Sequence, residues 1–200
     1  MDPTARELLD YWLGLGPEAW YRGGEALDQE IRDRWGALWE KARDGGLTQW
    51  RAAPDSCLAL LILLDQFPRN MFRADARAFA TDDRALEVAK TAILHGRDRR
   101  VGLPERQFFY TPLMHSEILA DQDHSVRLYL LNFGRGELLR HARAHREIIR
   151  RFGRFPFRNG ALGRESTPEE VAFLAEGGYM SVFNRLAAHA GDESGSAAGA

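Results

Sequence analysis

The chain has 200 residues and a formal net charge of −2, from 27 basic and 29 acidic side chains. That length accommodates one domain, or two small closely packed halves, and the near balance of charge excludes a global field that would recruit nucleic acid or an anionic membrane. Hydrophobic residues make up 44%, enough for a sizeable core, and the lone Cys57 excludes an internal disulfide and suits a reducing cytosolic setting.

The periodicity is helical from end to end, with no strand alternation. The opening MDPTARELLDYW has neither the basic region nor the apolar stretch of a signal peptide. Thr4 followed by Glu7 reads as a capping box for a helix over about 4–13, ended by Gly14, Gly16 and Pro17. A second helix spans about 25–43, with Leu27, Ile31, Trp35, Leu38 and Trp39 at helical spacing and Gly45-Gly46 closing it. All five tryptophans lie in the first quarter of the chain, which marks the N-terminal helices as an aromatic layer.

From Cys57 to Leu64 eight apolar residues run without a break. The run is too short to span a bilayer, which needs about 20 apolar residues, so it reads as a central helix buried on all sides, starting near Pro54 and stopped by Pro68. Further helices are expected from Thr81-Asp82-Asp83 to about His95, from Pro104-Glu105 to about Phe133 with a division at Pro112, over Glu137 to Phe152, and after the Thr167–Glu170 cap. The tail GDESGSAAGA is small and polar, so 1–187 reads as one helical domain and 188–200 as a disordered tail.

Polar residues crowd the exits of these apolar elements. At the end of the core helix stand Asp65, Gln66, Arg69, Asn70 and Arg73. A carboxylate at the negative end of a buried helix needs a cationic or hydrogen-bonding partner, which makes Asp65 either a structural lock or part of an arginine-lined anion site. On one helical wheel, His115 and Gln122 share the apolar face of Ile118, Leu119, Val126, Tyr129 and Leu130. Glu117, Asp121 and His124 then share the opposite face, a set suited to acid–base work or to a solvated charged surface. His145 falls in the stripe of Leu138, Ala142, Ile149 and Phe152, and Arg154, Arg158 and Asn159 follow in FPFRN, an echo of the FPRN at 67–70. Arginines are dense over 140–154, but the charge is cancelled elsewhere and no nucleic-acid motif accompanies them. No Gly-rich phosphate loop, nucleophile elbow or zinc signature is present, so the sequence calls for no cofactor and no metal.

The segments LDQFPRNMFR, RAFATDDRAL, FFYTPLMHSEILADQDHS and HREIIRRFGRFPFRNGALGRESTPEEVAFL resemble a family of uncharacterised bacterial and fungal proteins, domain of unknown function 924. The resemblance runs from about residue 10 to 178. It implies an all-α, tetratricopeptide-like fold of stacked antiparallel helix pairs around the central helix, and carries no reaction or catalytic residues with it. The expectation is that the 65–73, 115–124 and 154–159 segments meet in an arginine-rich cleft for a small anionic ligand. The competing readings are a helical scaffold for a protein partner and a hydrolase or lyase using Glu117, Asp121 and His124.

Overall fold

The structure, a computed structural model, describes residues 2–196, with side chains through Ala188. Every regular element among the described residues is helical and none is a strand. The chain divides into two compact units, Met1–Leu113 and Met114–Ala200, where the sequence reading takes 1–187 as one domain.

In the first unit, α1 (Pro3–Arg22) is capped by Asp2, whose Oδ1 accepts from the Thr4 and Ala5 N–H groups at 2.9 and 3.2 Å. The cap thus lies two residues earlier than the Thr4–Glu7 box expected. Gly16, at φ +76, kinks α1, and Pro17 restarts it. Helix α2 (Glu25–Arg43) has the expected bounds and buries Asp28, Ile31, Trp35 and Trp39 along one face. Trp12 and Trp35 lean on Phe67 at ring separations of 5.4 and 6.0 Å, so the aromatic layer does cover the core helix.

That helix continues past its expected end. Helix α3 (Pro54–Leu61) passes into a π turn, Ile62–Gln66, and then into α4 (Phe67–Met71), with Pro68 in the first turn of α4. Residues 57–64 are all buried, Leu61 to Leu64 completely. A proline removes the N–H that would bond the carbonyl four residues back, here Leu64. The Thr81 hydroxyl donates to that carbonyl at 2.5 Å instead. Thr81 precedes α5 (Asp82–Leu94) at the capping position but makes no cap bond, because its hydroxyl is committed to the core helix.

Pro112 does divide the next stretch. After a 3-10 turn at Glu105–Phe109 come the short α6 (Thr111–Met114) and then α7 (Leu119–Phe133), the first long helix of the second unit. Helix α8 (Glu137–Phe152) has the expected bounds and ends on Gly153 in the left-handed region at φ +70. Its buried residues are Leu139, Ala142, Ala144, Ile148 and Ile149, a stripe turned slightly from the expected one through Leu138. The core of this unit joins Ile148, Ile149, Phe155, Phe173, Val182 and Phe183, from α8, the following loop, α9 (Pro168–Ala175) and α10 (Gly178–Ser196). Thr167 and Glu170 form the expected capping box of α9. The expected disordered tail at 188–200 overlaps α10, and residues 197–200, with the side chains beyond Ala188, lie outside the description. No helix of the described residues is long and apolar enough to cross a membrane.

Candidate functional site

The polar residues after the core helix are there because a π turn, a proline and a helix end leave carbonyls without helical partners. Thr81 takes the Leu64 carbonyl, Arg69 Nη1 donates to the Asp65 carbonyl at 2.5 Å, and Asn70 Nδ2 to the Gln66 carbonyl at 3.2 Å. Arg32 of α2 donates twice to the Met71 carbonyl, at 3.1 and 2.6 Å. Asp65, 1% exposed, accepts from Gln66 Nε2 at 2.5 Å and lies 3.4 Å from Arg69 Nη1. Arg69 also pairs with Asp82 at 3.0 Å. Burial opposes the charge on Arg69, but Asp82 and Asp65 outweigh it and raise its pKa.

Arg73 turns the other way. It donates through Nε and Nη2 to both oxygens of the buried Asp28, and Nη2 also reaches Asn70 Oδ1 at 3.1 Å. That hydrogen bonding raises its pKa, against a smaller effect of burial. A Cβ at Gly23, where φ is +59, would collide with the Arg73 guanidinium, so the glycine is what lets the arginine reach Asp28. Beside this pair opens a cleft of about 660 Å³, lined among others by Arg22, Arg32, Arg73, Arg77, Asn70 and Met71.

Of the three segments expected to meet, 65–73 belongs to the first unit, while 115–124 and 154–159 belong to the second and share contacts there. Glu117 accepts from the Phe155 N–H at 2.8 Å and is gripped by Arg164 through 2.8 and 3.0 Å bonds. Burial works against its charge, but Arg164 and the Phe155 N–H outweigh burial and hold its carboxyl below the usual range. Arg158, 5% exposed, donates to the His115 carbonyl at 3.0 Å. Gln122, fully buried, donates to the Met114 and Ser116 carbonyls at 2.7 and 2.6 Å. Arg154 forks onto Glu170 with bonds of 2.7 and 2.8 Å, and Asn159 Nδ2 adds one at 3.2 Å. The Arg154 bonds, more than any other influence, hold the Glu170 carboxyl at about 2.

Residues 115–130 do not form the single helix that the spacing implies. His115 and Glu117 precede α7 rather than riding on it, because the chain breaks between α6 and α7. The face of α7 turned inward carries Asp121, Gln122, Ser125 and Tyr129, while Ile118, Leu119 and Leu130 are exposed. Glu117, Asp121 and His124 do not share a face. Glu117 faces Arg164, Asp121 accepts from the Ser116 hydroxyl at 2.9 Å, and His124 is exposed.

His145 sits half-buried among rings: Tyr179 at 4.9 Å, Phe155 at 5.5 Å and His115 at 6.0 Å. Its Nδ1–H donates to the His141 carbonyl at 2.9 Å, which leaves Nε2 as the acceptor nitrogen. Burial first, then the neighbouring His115, lowers its pKa to about 3, so the ring is neutral at pH 7. His141 bonds the Tyr179 hydroxyl through Nδ1 and has Glu137 3.7 Å from Nε2. Among the described residues no group of three His, Cys, Asp or Glu side chains is placed to hold a metal ion.

Several partners go beyond the residues singled out from the sequence. Asp28 had a visible signal, since it shares the spacing of Ile31, Trp35 and Trp39 and so had to be buried. Arg32, Asp82, Arg164 and Tyr179 had none, because their roles depend on tertiary approach.

The family model described as a bacterial protein of unknown function, DUF924, matches residues 8–178. Among solved structures, a protein of unknown function from Agrobacterium tumefaciens is similar. It is 42% identical, with a TM-score of 0.83 over 86% of this chain and 97% of that one. No curated protein matches the sequence.

Proposed function

The chain belongs to the DUF924 family, whose description names no reaction, and from its own geometry we propose that it binds a small anion in the cleft beside Arg73. One observation carries this. Around about 660 Å³ of space, four guanidinium groups, those of Arg22, Arg32, Arg73 and Arg77, face three carboxylates, Glu25, Asp28 and Asp75. The volume lies within the range of small-molecule sites, and guanidinium forks suit planar or tetrahedral oxyanions. Arg73 is fixed by Asp28 and so presents its remaining N–H groups from a set position, while the exposed Arg77 on the rim has room to adjust. Of the residues singled out in the sequence, Asn70 and Arg73 line this cleft, and Asp65, Gln66 and Arg69 support the element that carries them. A cytoplasmic setting and tetratricopeptide-like helix stacking belong to the same proposal.

The test is calorimetry and thermal melting with phosphate, sulfate and small carboxylates. A bound anion at about 100 times its Kd raises stability by about 2.7 kcal/mol. Arg77→Gln should weaken binding and leave the unliganded melting temperature unchanged, because Arg77 is exposed and its ion pair is with its near neighbour Asp75. Absence of any anion-dependent stabilisation would remove the proposal.

A second reading, a scaffold for a protein segment, is favoured by α7, where Leu119, Val126 and Leu130 fall at helical spacing on one outward stripe, two of them exposed. Leu130→Glu should then abolish co-elution with a partner while the fold stays intact. Unaltered elution of the variant with such a partner would dismiss the scaffold.

A further inference from the structure

Helix α7 turns to solvent a face whose chemistry is symmetric about its middle. Ser125 is fully buried, and the residues on the opposite side of the helix are exposed. Leu119 and Ala120 stand in the first turn of that face, Leu130 and Leu131 in the last, and Asp123 and Arg127 between them. The three leucines are 42%, 41% and 70% exposed, so apolar area lies open at both ends of one helix face. Asp123 has Arg146 of α8 3.5 Å away, yet most of its side chain is still in water.

Such a face complements itself. Two α7 helices laid antiparallel, about a two-fold axis level with Ser125, bring Leu119 against the partner's Leu130 and Leu131 against the partner's Ala120. Asp123 then comes level with the partner's Arg127, and by symmetry Arg127 with the partner's Asp123. Apolar groups thus meet apolar groups at both ends, and opposite charges meet in the middle. Laid parallel, the same helices would set aspartate against aspartate and arginine against arginine, so the charges select the antiparallel arrangement. We propose that α7 is the contact helix of a homodimer, in which two copies of the chain pair antiparallel through this face. The proposal rests on the exposed α7 stripe of the scaffold reading and names a second copy as its occupant. A helix of 15 residues is about 22 Å long. A single pair of that length lies at the small end of specific interfaces, so the association is weak and depends on concentration.

The experiment is sedimentation equilibrium of the full chain between about 10 μM and 1 mM, the range suited to a small interface. The mean mass should rise with concentration from that of the monomer towards twice that value. Arg127→Asp and Asp123→Arg each set like charges against each other across the axis and should weaken self-association about tenfold or more. Both positions are exposed, so the melting temperatures should stay near that of the wild type. Mixed in equal amounts, the two variants carry complementary faces, and association should return at least to the wild-type strength. Recovery on mixing requires two α7 helices in contact, which neither misfolding nor a foreign segment imitates. The proposal is overturned if the wild type stays monomeric throughout, if the single variants associate as the wild type does, or if their mixture associates no better than either alone. A monomeric wild type leaves the scaffold reading standing, because a foreign segment on α7 needs no second copy. That reading falls separately, on unaltered co-elution of Leu130→Glu with its partner.

Discussion

Asp65 shows how a single carboxylate can be buried and still be tolerated. It is 1% exposed, and Gln66 and Arg69 supply its hydrogen-bond and charge partners. Arg69 in turn has Asp82, so removing Asp65 does not leave a wholly uncompensated guanidinium. Truncation of one partner of a buried pair costs on the order of 3–5 kcal/mol, and the remaining Asp82 places Asp65→Ala at the lower end, about 3 kcal/mol. Asp65→Asn keeps the bond from Gln66 or Arg69 and should cost about 1 kcal/mol. Chemical denaturation measures both, and a midpoint near wild type for Asp65→Ala would show that the carboxylate locks nothing. The need for a partner was legible in the sequence, from a charge at the end of an eight-residue apolar run. That Arg69 answers a second carboxylate was not, because Asp82 reaches it from a separate element.

The element that governs this region is the core helix with its π turn and Pro68. Each departure from regular α geometry frees a carbonyl, and side chains from outside fill the gap: Thr81 at Leu64, Arg69 at Asp65, Arg32 at Met71. Thr81 also accepts from Trp39 Nε1 at 3.3 Å, so one hydroxyl serves two buried groups. Thr81→Val is nearly isosteric and leaves both unpaired, for a loss of about 1–3 kcal/mol, whereas Thr81→Ser should cost less than about 1 kcal/mol. The cost of Thr81→Val should shrink in a Pro68→Ala background, where the restored N–H can take the Leu64 carbonyl. Additivity of the two substitutions in denaturation experiments would refute that link. Helices α2 and α8 were legible to the residue because their apolar spacing and glycine ends agree. The π turn was not, since it adds a residue inside a run that is apolar on every side and has no phase to betray the slip. On α7 the apolar spacing misled in part: Gln122 and Tyr129 face inward as it implies, but Asp121 and Ser125 join them there and Leu119 and Leu130 face outward. Hydrogen bonds, as from Gln122 to Met114 and Ser116, make burial of that polar face tolerable.

At the scale of the molecule, three groups of the second unit, His145, His141 and Glu170, make stability depend on acidity in the same direction. His145 is kept neutral by its ring-lined site and by the positive neighbour Arg158 together with His115 and His141, which lowers its pKa to about 3 from an unfolded value near 6.5. Below pH 6.5 the unfolded chain therefore takes up a proton that the folded one refuses, and stability falls as the pH drops towards 3. His141 is lowered as well, mainly by burial, with Glu137 pulling the other way. Glu170, at about 2, adds stability that is present above its unfolded pKa and is lost as the pH falls from about 4.5 towards 2. Between pH 7 and 5 only the histidines contribute. Each pH unit that separates the folded from the unfolded pKa is worth about 1.4 kcal/mol at most, and solvent at the partly exposed His145 ring reduces this to a loss of about 1 kcal/mol over the interval. Urea denaturation followed by circular dichroism at the two pH values measures it. His145→Gln removes the titrating group while leaving an amide to meet the His141 carbonyl, so less than half of the loss should remain. A variant whose urea midpoint falls as steeply as the wild type's would place the acid sensitivity elsewhere. By linkage it would also mean that the pKa of His145 is not lowered on folding, because a lowered one must make stability fall with acidity.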